Sequence, residues 1–142
     1  MAAFIKTIGP TLDVFLSFHS YSQMLLIPYG YTSEHLDNYK DVKKIGLAAK
    51  ASLASKYGTN YRVGNTAEII YPCSGTSIDW VKQEFKTPIT LAYELRDSGS
   101  FGFILPAEQI IPNCEEVMDS IVTIFTEAEK MGYFNNTKSP HF

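Results

Sequence analysis

The stretch that decides the fold is "FLSFHSYSQMLLIPYGY", Phe15 to Tyr31. Two apolar runs, "LDVFLSF" (12–18) and "QMLLIPY" (23–29), are short and rich in β-branched, aromatic and aliphatic residues. Each reads as a buried strand, the second ending at Pro28. Between them lie His19 and a row of hydroxyl-bearing residues. A histidine at the end of a buried strand is either a satisfied core residue or one ligand of a metal site. In a layered α/β fold, sites gather at strand ends. A second ligand at helical i,i+4 spacing is absent, so spacing alone does not decide between the two readings.

Working outward, Gly9-Pro10 stops a helix over 2–10. Downstream, Val42, Ile45, Ala49 and Leu53 recur at helical spacing over 38–56. Asp37 or Asn38 is placed to cap that helix, and Gly58 to end it in a left-handed turn. "AEIIY" (67–71) reads as a short strand. "PCSGTS" is a loop whose Ser77 caps a helix over 78–85, and "ITLAYEL" (89–95) reads as a strand. A helix over 108–131 carries Ile111, Val117, Met118, Ile121, Ile124, Phe125 and Ala128, with Asn113 and Glu116 as a capping box past Pro112. Strands alternating with helices predict α/β layers. Two long helices against four short strands leave part of the sheet's apolar surface uncovered.

Composition sets the outer limits. The chain has 142 residues, 45% of them hydrophobic, and a net charge of −3. That is one domain's worth of core, with no basic stripe to meet nucleic acid. No apolar run approaches the ~20 residues that span a bilayer. The first residues lack the pattern of a signal peptide. Two cysteines, Cys73 and Cys114, leave pairing open. "NNT" at 135–137 is an acceptor pattern for glycosylation and nudges toward secretion.

Two further residues carry chemistry. Glu94 interrupts a buried strand, so it must be paired, hydrogen-bonded or shifted in pKa. It is either an ion-pair partner of Arg96, two residues on along the same face, or a general base. Tyr71 precedes Pro72 and a flexible loop; it is either a plain exposed aromatic or a hydroxyl that swings over a site. Cys73 and Ser74 have no paired base at a known offset.

Four pieces in order, "FLSFHSYSQMLLIPYGY", "KYGTNYRVG", "IIYPCSGTSIDW" and "ELRDSGSFGFILPAEQIIP", resemble the C-terminal half of a zinc metallocarboxypeptidase of the pancreatic A/B type. The resemblance implies a mixed parallel and antiparallel sheet flanked by helices. It implies residues 1–142 as the C-terminal part of a peptidase domain whose upstream half is missing. It implies His19 as a zinc ligand, with the remaining ligands in that upstream half. Glu94 would take a proton from the attacking water and deliver it to the leaving amine. Tyr71 would close over the substrate's terminal carboxylate. Ser20 and Tyr21 would contact substrate, and Phe103 would wall the site. Non-proline cis peptides are implied at Ser20–Tyr21, Pro28–Tyr29 and Arg96–Asp97.

The resemblance also bears on specificity. Members that prefer basic residues place an acid on the pocket floor, where this chain has Ile78, with Ile70 and Ala92 nearby. An apolar floor gives a buried cation no partner. The expected substrates are therefore peptide or protein C-termini ending in aliphatic or aromatic residues. Cys73 and Thr66 depart from the common pocket residues, and Asp79 beside the pocket is expected to be structural. The His-x-x-Glu motif that supplies the family's other ligands does not occur here; "HLDN", from His35, has Asn where Glu is required. The expectation is a zinc exopeptidase of secreted setting, with or without a pro-domain, inactive as this stretch alone. The rival expectation is a non-catalytic α/β peptide-binding or regulatory module derived from such an enzyme; a weaker third is a cysteine hydrolase using Cys73.

Overall fold

The computed structural model describes residues 1–134. The acceptor pattern at 135–137 and His141 lie outside the described residues. The chain runs α1 (Ala2–Ile8), a 3-10 turn (Gly9–Thr11), β1 (Val14–Ser20), β2 (Met24–Ile27), α2 (Tyr39–Tyr57), β3 (Arg62–Asn65), α3 (Thr66–Ile69), α4 (Ser77–Phe85), β4 (Ile89–Leu95), a 3-10 turn (Ala107–Gln109) and α5 (Ile110–Lys130).

The four strands form one sheet in the order β1-β4-β2-β3. β1 pairs parallel with β4, β2 antiparallel with β4, and β3 parallel with β2. This is the mixed sheet expected from the sequence. The pleat sends alternate residues to opposite faces. On one face Ile89, Leu91 and Tyr93 of β4, with Leu25 and Ile27 of β2, join Val42, Ile45, Ala49 and Leu53 of α2 and Ile124 and Ala128 of α5 in the main core. The four α2 residues are fully buried, and each large aliphatic among them contributes about 2 kcal/mol of burial. On the other face Met24, Leu26 and Ala92 meet Ile78 of α4 in a smaller cluster. The sheet thus has a thick side and a thin side, and the thin side opens into a cavity.

Several local expectations hold. Gly58 ends α2 at φ 70°, a left-handed conformation that costs glycine little. The peptides Ser20–Tyr21, Pro28–Tyr29 and Arg96–Asp97 are all cis. On the sheet, Phe18 of β1 is half exposed, part of the uncovered sheet surface anticipated above; Met118 and Val122 are exposed apolar groups on α5 instead. Cys73 and Cys114 are both free thiols, which settles the open question of pairing.

Others do not hold. Residues 67–71 are not a strand. Asn65 caps a short helical turn by accepting the Glu68 N–H at 3.3 Å, and the strand lies just before it, at Arg62–Asn65. β-rich composition misled there because the parallel pairing with β2 is made by "RVGN". At Gly64 a Cβ would approach Ile69 Cγ2 to 3.0 Å, so the turn packs directly over the strand. α4 is capped by Thr76, whose hydroxyl accepts the Asp79 N–H, rather than by Ser77. α5 begins at Ile110, so Asn113 and Glu116 lie inside it and form no capping box. Glu94 does not pair with Arg96. The chain leaves the strand at Leu95, and Arg96 reaches Glu116 on α5 instead, with Nε to Oε1 at 2.8 Å. Glu116 is fully buried and also accepts the Thr59 hydroxyl at 2.6 Å.

Candidate active site

His19 and Glu94 are register partners on neighbouring parallel strands, so their side chains leave the same face of the sheet. Both line one cavity of about 390 Å³. Its floor is Leu26, Ile78 and Ala92, with Ile70 and Tyr71 along one wall and residues 73 and 75–77 along another. An apolar floor with a few convergent polar groups is the usual form of a small-ligand site. The expected residues His19, Ile70, Tyr71, Ile78, Ala92 and Glu94 are therefore brought together.

Ser20, Tyr21 and Phe103 are placed differently. Ser20 closes β1 and is exposed. The Tyr21 and Phe103 rings meet edge to face at 5.0 Å, outside the cavity lining. Their loop is pinned by Asp97, whose carboxylate accepts the N–H groups of Phe101 and Gly102, each at 2.9 Å. Burial alone would raise the Asp97 carboxyl; the backbone donors hold it below its ordinary value.

The electrostatics of the pair are lopsided. Desolvation pushes the Glu94 carboxyl above its ordinary value, and the neighbouring His19 opposes this. Ser17 Oγ lies 2.7 Å from His19 Nε2. In the tautomer that donates from Nε2, this contact orients the ring and leaves the Nδ1 lone pair for a metal. Sequence reasoning missed Ser17; its position two residues before His19 on the strand, hence on the same face, is the signal that could have found it. One imidazole does not make a zinc site, which takes three or more protein ligands. Among the described residues no cluster of three His, Cys, Asp or Glu is placed to hold a metal. An imidazole is a donor of the type zinc takes, and His19 is the one such side chain lining this cavity among the described residues.

The cavity wall is braced from behind. Gly30 donates its N–H to Asp79 Oδ2 at 2.9 Å and accepts the Cys73 N–H at 2.7 Å. A Cβ on Gly30 would come within 2.9 Å of both the Cys73 carbonyl and its sulfur, so the close approach requires glycine. Asp79 is buried, and its carboxyl is raised by desolvation. His35 and Glu68 add an exposed tie at 2.9 Å between the loop after Gly30 and α3. Sequence reasoning missed Leu26, which read only as strand, and the lining role of Gly75, Thr76 and Ser77.

An imidazole and a desolvated carboxylate thus stand on adjacent strands beside an apolar pocket. The zinc carboxypeptidase family matches residues 1–120, and the chain belongs to that family. A zinc carboxypeptidase of Simulium vittatum is 52% identical over 135 residues, covering 94% of this chain and 44% of that protein. Human carboxypeptidase O is 42% identical over 127 residues, covering 89% of this chain and 34% of its own length. Bovine thrombin-activatable fibrinolysis inhibitor, solved in complex with tick carboxypeptidase inhibitor, superposes with a TM-score of 0.85 at 27% identity, over 92% of this chain and 44% of that one. The chain thus spans less than half the length of these relatives.

Proposed function

We propose that this chain carries part of the catalytic site of a zinc carboxypeptidase that hydrolyses the last peptide bond of substrates ending in an aliphatic or aromatic residue. The observation that carries the reading is the His19–Glu94 register pair on the wall of an apolar cavity. His19 serves as one zinc ligand through Nδ1, with Ser17 holding the ring. Zinc, when bound, supplies Lewis acidity toward water and the scissile carbonyl. Glu94 lies beside that point. It takes the proton of the attacking water and passes it to the amine as the C–N bond breaks.

The substrate's terminal side chain enters between Leu26, Ile70, Ile78 and Ala92. These offer no counter-charge, so a cationic side chain would be desolvated without a partner. Tyr71 is exposed at the mouth and closes its hydroxyl over the terminal carboxylate. Ser20, Tyr21 and Phe103 contact residues further along the peptide. By resemblance the setting is extracellular; no helix among the described residues is long and apolar enough to cross a membrane. As this stretch alone, the chain binds zinc weakly and does not turn over. The base-like environment of Glu94 counts against a purely peptide-binding module, because a binder has no use for it. No hydrogen bond joins Cys73 to His19 among the described residues, which leaves a thiol nucleophile without its base.

The test is release of phenylalanine or arginine from benzoylglycyl dipeptides. This chain is assayed alone and co-expressed with the complementary portion of the Simulium vittatum relative. Turnover is expected only in the completed enzyme, with phenylalanine preferred. Glu94→Gln should lower kcat by about 10³-fold, the usual contribution of a positioned base. Arginine release as the main reaction, or an unimpaired Glu94→Gln enzyme, would overturn the assignment.

A further inference from the structure

The side of α2 that turns away from the core is cationic. Lys40, Lys43, Lys44 and Lys50 look scattered in the sequence. At 3.6 residues per turn they fall within an arc of about 120°, along about 15 Å of helix. Lys40 and Lys44 are exposed, and Lys43 and Lys50 are half-buried. Leu47 lies in the middle of the arc and is 49% exposed. The buried residues Val42, Ile45, Ala49 and Leu53 occupy the opposite side of the helix.

These charges serve no contact within the described fold. Among the described residues none of the four lysines is in an ion pair, whereas Lys56, Lys82 and Lys130 each have a carboxylate within 3.3 Å. Asp41 is the one acid of α2. It lies on the flank toward the end of α5, where it accepts the Tyr133 hydroxyl at 2.8 Å. The ridge therefore gathers four positive charges and no negative one in a chain whose net charge is −3. Like charges four residues apart, as at Lys40 and Lys44, destabilise a helix slightly. The fold gains nothing in return.

We propose that this ridge binds a linear sulfated polysaccharide laid along α2. The inference rests on the geometry of α2 and not on the catalytic roles above. Lysine is rarely buried without a partner, so the portion of the domain outside this chain leaves the ridge in water. Protein interfaces favour aromatic residues and arginine and are depleted in lysine; this ridge has lysines and one leucine. A bilayer calls for a broad apolar face to insert, and the apolar face of α2 is already committed to the core. A bilayer would also meet the flanks of a molecule that is acidic as a whole, whereas a thread meets the ridge alone. Single-stranded nucleic acid calls for aromatic platforms for its bases, and the arc between Lys40 and Lys50 carries none. A hydrated polyanion held by released counterions makes none of these demands.

The test uses this chain alone and co-expressed with the complementary portion of the Simulium vittatum relative. Each is titrated by calorimetry with dextran sulfate, neutral dextran, polyglutamate and phosphatidylcholine vesicles containing phosphatidylserine. Dextran sulfate should bind both preparations and neutral dextran neither. From about 50 to about 200 mM salt the logarithm of the binding constant should fall against that of salt with a slope of about −3, as four lysine contacts with a polyanion give. Lys40→Gln, Lys43→Gln, Lys44→Gln and Lys50→Gln together should weaken binding at least ~10-fold and flatten that slope. Lys40→Gln with Lys44→Gln alone should give an intermediate loss. A control lacking Lys6, Arg62, Lys86 and Lys130, each replaced by Gln, removes the same charge from other surfaces and should bind nearly as the parent does. Any of four results would overturn the proposal: no binding of dextran sulfate, equal losses in the ridge variant and the control, tighter binding of polyglutamate or of the vesicles, or binding by the chain alone that disappears in the complex.

Discussion

Arg96 and Glu116 offer a sharp energetic test. Glu116 is fully buried on α5 and accepts Arg96 Nε at 2.8 Å, Arg96 Nη2 at 2.5 Å and the Thr59 hydroxyl at 2.6 Å. Arg96 is nearly buried, and its Nη2 also reaches Thr59 at 2.9 Å. Removing one partner of such a pair strands a charge that water cannot reach, at a cost of about 3–5 kcal/mol. The two single variants should not cost the same. Glu116→Gln keeps the shape and leaves a guanidinium that is slightly exposed and stands over the Tyr57 ring, so it belongs near 3 kcal/mol. Arg96→Met leaves a carboxylate with no exposure at all and belongs near 5. The double variant Arg96→Met with Glu116→Leu removes both charges and should recover to within about 2 kcal/mol of the parent. Urea unfolding followed by Trp80 fluorescence and far-ultraviolet circular dichroism measures each value, provided the m-value is unchanged. Single variants within 1 kcal/mol of the parent, or a double variant as unstable as the sum of the singles, would refute this reasoning about the knot between β4, α2 and α5.

Two further outcomes follow from the cavity wall. Burial raises Asp79 above its ordinary 3.8, so the folded chain keeps a proton that the unfolded chain has lost. Its contribution to stability is complete below about 3.8 and is lost as pH rises through the folded value. The stability of Asp79→Asn relative to the parent should therefore increase with pH over that window in paired urea titrations, and a flat or falling difference would contradict it. Ile78→Asp places a carboxylate on the cavity floor. In the completed enzyme it should raise the arginine-to-phenylalanine ratio of kcat/KM by about 100-fold or more, because a desolvated cation then finds its partner. An unchanged ratio would remove Ile78 from the specificity pocket.

The legible parts of this sequence are those where one physical signal dominates. Helical spacing of Val42, Ile45, Ala49 and Leu53 announced α2, and all four are buried. The interrupted apolar runs around His19 and Glu94 announced two strands, whose parallel register brings the residues together. What was not legible depends on distant partners. Arg96 sits two residues from Glu94, yet its partner is on α5, beyond reach of any local spacing rule. The strand near residue 65 hid behind Gly64, which has low β-propensity but lets α3 lie close. The open flank of α5 blended into a broad apolar face, since periodicity marks what is greasy and not what is covered.

A zipper holds only as well as its last teeth. His19 stands next to the end of a strand zipped on one side, and Glu94 stands on the row it is zipped to. Fraying of two residues at that end would part them with the helices undisturbed. The fraction of molecules able to react would then be set by the opening equilibrium of a few backbone bonds. Amide exchange at His19 and Ser20, rather than the melting temperature, would track it.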